Sequence, residues 1–134
     1  MIQLITGTKG TGKTKKMIEM INEFAKTACG NVVCIEKSMQ HTYDIDHAVR
    51  LIDIDEYQIH SYENLYGFIA GVLAGNYDIV KIYLDGVSRI ENENFETLAK
   101  LLDRLNTLTG ENVEIVITIS VENEVLPQEI KKYL

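Results

Sequence analysis

Apolar positions along this chain follow two alternating rhythms. Nearly continuous runs at residues 2–6, 31–36, 79–85 and 113–120 have the length of strands covered on both faces. A shorter run at 49–54 predicts one more. Between them apolar side chains recur at helical spacing. Met17, Ile21, Phe24, Ala25 and Ala28 predict a helix over 13–28 that Gly30 ends. Ser61 is the expected N-cap of a helix reaching about Ala74. Asn94 caps another, which turns Phe95, Leu98, Leu101, Leu102 and Leu105 inward and closes at Gly110. Pro127 opens a last helical turn. The order β-α-β-β-α-β-α-β predicts an α/β fold, a three-layer sandwich around a mainly parallel five-stranded sheet. With no repeat, linker or low-complexity stretch, residues 1–134 are expected to form one domain.

The helix after Ser61 carries an unusual stripe. Gly67, Ala70, Gly71, Ala74 and Gly75 stand at i, i+3, i+4, i+7 and i+8. Small residues there lower helix propensity, so a close approach along that face is expected. Tight packing on the sheet is the first expectation, and a contact with another subunit or a partner protein the second.

The chemistry concentrates at the first strand-to-helix junction. Gly7, Thr8, Lys9, Gly10, Thr11, Gly12, Lys13 and Thr14 spell G-x-x-x-x-G-K-[ST], the phosphate-binding loop or Walker A pattern. Glycines let successive backbone N–H groups turn inward as an anion nest, and the following helix aims its positive end at the same point. Lys13 supplies a charge for the β- and γ-phosphates, and the Thr14 hydroxyl a ligand for Mg²⁺. Asp85 closes an apolar strand, the place where open α/β sheets bind ligands, and is expected to orient the same ion.

Composition narrows the field. The net charge is −7, with no basic cluster beyond Lys13, Lys15 and Lys16 and the pair Lys131 and Lys132, so a nonspecific nucleic-acid role is disfavoured. The chain enters a strand without a basic leader segment, and no apolar run approaches the roughly 20 residues needed to span a bilayer. The expectation is a cytoplasmic protein that does not engage membranes, with Cys29 and Cys34 as reduced thiols rather than a disulfide.

With these motifs the chain resembles the P-loop NTPases with a RecA-like core. Residues 7–14 resemble Walker A and 79–85 resemble Walker B. If 2–6 is strand β1, 32–36 β2, 50–53 β3, 79–85 β4 and 115–120 β5, the resemblance implies the spatial order β3-β2-β4-β5-β1. That places the loop-bearing strand at an edge, to be covered by the last residues or another subunit. It also implies a polar sensor at the end of the last strand, here Thr118 or Ser120. Many relatives carry a Glu directly after the Walker B Asp, where this chain has Gly86. The RecA-type alternative is an acid near the end of the second strand. Glu36 is the nearest, about two positions early, with Asp53, Asp55 and Glu56 behind it as loop charges. Short bacterial proteins of this kind are sometimes labelled PilT-like, but this chain lacks that motor's length and its acidic and histidine boxes.

The implied activity is Mg²⁺-dependent binding of a nucleoside triphosphate, ATP by preference, with weak hydrolysis. Two alternatives stand beside it: a nucleotide-responsive regulatory or scaffold module without turnover, and a small-molecule phosphotransferase. The last normally needs several arginines, and only Arg50, Arg89 and Arg104 are present. Arg89 lies four residues past Asp85 and within reach of the site. No N-K-x-D guanine signature occurs. His41, Asp44, Asp46 and His47 crowd one polar stretch without metal-ligand spacing, which reads as a solvated connection or a loop beside the nucleotide. Tyr43, Tyr57, Tyr62 and Tyr66 read as partly buried core rather than base-stacking residues.

Overall fold

Five strands and four α-helices lie along residues 1–8, 10–37, 44–92 and 94–134, those that the computed structural model describes. They are β1 (Ile2–Thr6), α1 (Lys13–Ala25), β2 (Asn31–Glu36), β3 (Arg50–Asp53), α2 (Tyr62–Gly75), β4 (Ile79–Asp85), α3 (Phe95–Thr109), β5 (Glu114–Ile119) and α4 (Gln128–Lys131). Every strand pairing is parallel. The sheet runs β1-β5-β4-β2-β3, or β3-β2-β4-β5-β1 from its other edge.

The strands alternate between two cores. Leu4, Ile35, Leu84 and Ile117 face α2, α3 and α4, packing with Leu65, Ile69, Leu102, Leu105 and Ile130. Ile5, Cys34, Tyr83 and Val116 face Met17 and Ile21 of α1, with Ile45 and Val49 completing that side. The near-continuous apolar strands follow from being covered on both faces. Two caps fall where their side chains require. Ser61 Oγ accepts from the Asn64 amide at 3.0 Å, and Asn94 Oδ1 accepts from the Glu96 and Thr97 amides at 3.1 and 3.3 Å.

The edge position of β1 is managed by the chain's last residues. The Leu4 amide donates to the Tyr133 carbonyl at 2.9 Å and the Gly7 amide to the Val121 carbonyl at 2.9 Å. The Thr6 hydroxyl donates to Asn123 Oδ1. Leu126 and Ile130 are buried beneath this segment, so the open edge is covered from within the chain.

Two expectations need correction. Helix α1 ends at Ala25 with Lys26 as its cap, not at Gly30. Gly30 instead passes against β4, where a Cβ would stand 2.5 Å from the Asp78 carbonyl oxygen. The stripe on α2 does not pack on the sheet. Gly67, Gly71, Ala74 and Gly75 are exposed, and a Cβ at any of the three glycines would meet nothing within 4 Å. The helix buries Tyr62, Leu65 and Ile69 instead, because larger apolar surface outweighs a smooth face.

Candidate functional site

Parallel strands bring their carboxyl ends to one side, and here that side gathers the ends of β1, β5 and β4. The chain leaves β1 over α1, passes above β5 and β4, and enters β2, so the ends of β1 and β4 flank β5 where the connections diverge. At this point lies a cleft of ≈ 410 Å³ lined by Gly10, Gly12, Lys13, Thr14, Lys15, Asp85, Gly86, Arg89 and Ser120. The two motifs, 71 residues apart in sequence, meet there: Thr14 Oγ1 donates to Asp85 Oδ2 at 3.1 Å.

The loop is folded around a single carbonyl. Thr8 O accepts from the Thr11 amide at 3.2 Å, the Thr11 hydroxyl at 2.7 Å and Lys13 Nζ at 3.1 Å. Gly7 permits this turn, since a Cβ there would lie 2.5 Å from Thr11 Oγ1. Gly12 precedes α1 in the left-handed region, φ 85°, and no side chain caps the helix. The first ladder bond runs from the Lys16 amide to the Gly12 carbonyl at 3.0 Å. The amides of Lys13, Thr14 and Lys15 therefore have no acceptor within the helix. Lys9, assigned to this loop from the sequence, lies outside the described residues.

Asp85 is held from its other side as well. Thr118 Oγ1 donates to Asp85 Oδ1 at 2.6 Å and accepts from the Gly86 amide at 3.4 Å. Of the two sensor candidates, Thr118 contacts the acid and Ser120 lines the cleft. Leu84 pairs with Ile117, so Asp85 and Thr118 lie abreast on neighbouring strands. Sequence spacing left open which hydroxyl stands beside Asp85; the register sets Thr118 there.

Glu36 ends β2 in register with Asp85 on one side and Asp53 on the other. It is buried and is not among the residues lining the cleft. Cys34 Sγ donates to Glu36 Oε1 at 3.7 Å, and burial, then the Glu36 and Asp85 carboxylates, push that thiol upward. Cys34 is thus a buried free thiol and Cys29 an exposed one. Two of the remaining acids, Asp53 and Asp55, are committed elsewhere, and Glu56 is exposed. Asp53 caps the 3₁₀ turn Ile54–Tyr57 by accepting from the Asp55 amide, and Asp55 pairs with Lys37 at 3.1 Å.

His41 and Tyr43 lie outside the described residues. Asp44 and Asp46 lie on a connection docked on α1, where Asn22 donates to the Asp44 carbonyl at 2.7 Å and accepts from the Asp46 amide at 2.8 Å. Tyr62 is buried, Tyr66 half-buried and Tyr57 exposed, so the tyrosines share no common environment. Among the described residues no group of three or more His, Cys, Asp or Glu could hold a metal, and no helix is long and apolar enough to cross a membrane. Neither protein-family models nor curated proteins give a match to this chain.

Proposed function

We propose that this chain is a P-loop nucleoside triphosphate-binding protein of RecA-like organisation, holding ATP with Mg²⁺ and turning it over slowly. One observation carries the reading. Helix α1 begins with no capping side chain and no acid in its first turn, and that turn holds Lys13, Lys15 and Lys16. Helices α2 and α3 each have both a cap and a first-turn acid. Positive charge at a positive dipole end is unfavourable unless an anion answers it, and Lys13 and Lys15 of this turn line one cleft. A polyphosphate supplies both the acceptors and the charge.

In this reading the amides of Lys13, Thr14 and Lys15 donate to phosphate oxygens, and Lys13 Nζ exchanges the Thr8 carbonyl for one of them. Thr14 Oγ1 and Asp85 Oδ2, hard oxygen donors facing one cleft, fit a Mg²⁺ that keeps water and phosphate as its other ligands. When bound, Mg²⁺ neutralises charge on the phosphate oxygens. Thr118 holds the carboxylate in place for that role.

Turnover is slow because the cleft offers no second carboxylate among the described residues to orient an attacking water. Loss of a few kcal/mol of transition-state stabilisation costs several powers of ten in rate. Glu36 is the residue to supply that function if it turns outward. The same observation favours a second reading, a module in which binding rather than turnover is the signal. A phosphotransferase fits less well. Arg104 is engaged with Glu63 at 2.8 Å and stacked on Tyr66, leaving Arg89 as the one arginine lining the cleft among the described residues.

Calorimetric titration of ATP and GTP, with and without Mg²⁺, tests the proposal. Saturable Mg²⁺-dependent binding is expected, weakened about tenfold or more in Lys13→Ala, because a charge-assisted hydrogen bond contributes about 1.5–3 kcal/mol. Steady-state phosphate release separates the readings: release lost in Glu36→Gln with binding kept marks an ATPase, and binding without release marks the module. If neither nucleotide at millimolar concentration binds, the proposal fails.

A further inference from the structure

The turn that follows Asp85 carries a cation to a place where many P-loop proteins put a carboxylate. Gly86 adopts φ 75°, and an added Cβ would lie 2.7 Å from Arg89 Nη2. The guanidinium therefore covers the face of residue 86 that a side chain would occupy. Glycine is favoured there by its backbone conformation, whereas the guanidinium, at the end of a flexible side chain, can move aside.

Arg89 stands on a firmly held support. It belongs to the 3₁₀ turn Val87–Glu91, in which Val87 and Ser88 are buried. The Tyr62 hydroxyl donates to the Ser88 carbonyl at 2.5 Å, and the Tyr62 amide donates to Glu91 Oε2 at 2.6 Å. With the backbone pinned to the start of α2, the side chain is the part free to move.

The guanidinium's own contacts are few. Its Nε donates to the Gly86 carbonyl at 3.4 Å, and among the described residues no carboxylate forms an ion pair with it. Arg50 likewise has no ion pair among the described residues, but it does not line the cleft. Lys37, Lys81, Lys132 and Arg104 each have a carboxylate partner. Arg89 instead lines the cleft with Lys13, Thr14 and Asp85. Its two terminal nitrogens form a fork suited to two oxygens of one phosphoryl group.

We infer that Arg89 reads the terminal phosphoryl group of the nucleotide, so that the site distinguishes a triphosphate from a diphosphate. This rests on the phosphate-site reading above. The loop amides hold the phosphates common to both nucleotides and Lys13 spans the β- and γ-phosphates, while Arg89, which also lines the cleft, closes on the group that only the triphosphate has. A cation there stabilises charge and abstracts no proton, which suits a site that registers nucleotide state more than one built for fast hydrolysis.

The test is calorimetry of a non-hydrolysable ATP analogue and of ADP, each with Mg²⁺, on wild type, Arg89→Ala, Arg89→Lys and Lys13→Ala. Arg89→Ala should weaken the triphosphate analogue about tenfold or more and ADP less than about threefold, with Arg89→Lys between. Lys13→Ala should weaken both. Arg89 is exposed, so the variant should keep the wild-type melting temperature. A wild type that binds both nucleotides while Arg89→Ala loses neither, or loses both equally, overturns the role of Arg89 alone. A wild type that binds neither overturns the phosphate-site reading and this inference with it.

Discussion

Asp85 is fastened by two hydroxyls with different duties. The Thr14 hydroxyl comes from the first turn of α1 and, in the proposed Mg²⁺ complex, would turn from the acid to the ion; the Thr118 hydroxyl comes from the neighbouring strand and would stay. Thr118 is buried, and valine has nearly its shape, so Thr118→Val removes the hydrogen bond while filling the space. The expected result is nucleotide affinity about tenfold weaker with Mg²⁺ and changed less than about twofold in EDTA, measured by calorimetry. Equal losses in both conditions would show a packing defect instead of a positioning role. The resemblance implied a polar residue at the end of the last strand, Thr118 or Ser120, but not which one. Thr118 lies in β5 and Ser120 just beyond it, and only the pairing of Leu84 with Ile117 sets Thr118 beside the acid.

Among the elements, α1 and α2 show what a periodic pattern does and does not determine. The spacing of Met17 and Ile21 places both on one side of α1, and they are buried under it. On α2 the small-residue stripe shares a face equally well, yet that face points to solvent. Periodicity says which residues lie together; the competition between faces for the core says where they point. The exposed glycines then carry a conformational cost without a packing gain. Gly71→Ala should raise stability by about 0.5–1 kcal/mol, seen as a melting temperature about 2–4 °C higher. A lower melting temperature would mean that something does pack against this face.

At the scale of the whole molecule, the weak point is the edge strand that bears the loop. Residues after β5 seal it, and Tyr133 ties that seal to α3 through a 2.5 Å bond from its hydroxyl to Asp103 Oδ1. The hydroxyl bond, aided by Lys132, holds the Asp103 carboxyl below its usual range. Its contribution to stability is therefore present above about pH 4 and lost as pH falls through the lowered value. Burial, then the bond to Asp103, pushes Tyr133 up to about 12. That contribution is complete below the ordinary value of about 10 and is lost as pH rises through about 12. Wild type should thus exceed Tyr133→Phe in melting temperature most between about pH 4 and 10, with the gap narrowing on both sides. A gap that does not change with pH would place the effect in packing rather than in the hydrogen bond.

By itself the chain's order of apolar runs, caps and glycines determined the elements and the two local motifs. Those depend on backbone conformation and on side chains only a few residues apart: Ser61 and Asn94 cap their own helices, and Gly7 and Gly12 shape their own turn. Tertiary structure decided which strand ends lie side by side, and so the meeting of Thr14, Asp85 and Thr118. It also put Glu36 in register with Asp85 yet off the cleft, and laid Arg89 over Gly86. Such placements arise from sheet order and burial, to which every element contributes at once, and no short window of sequence contains them.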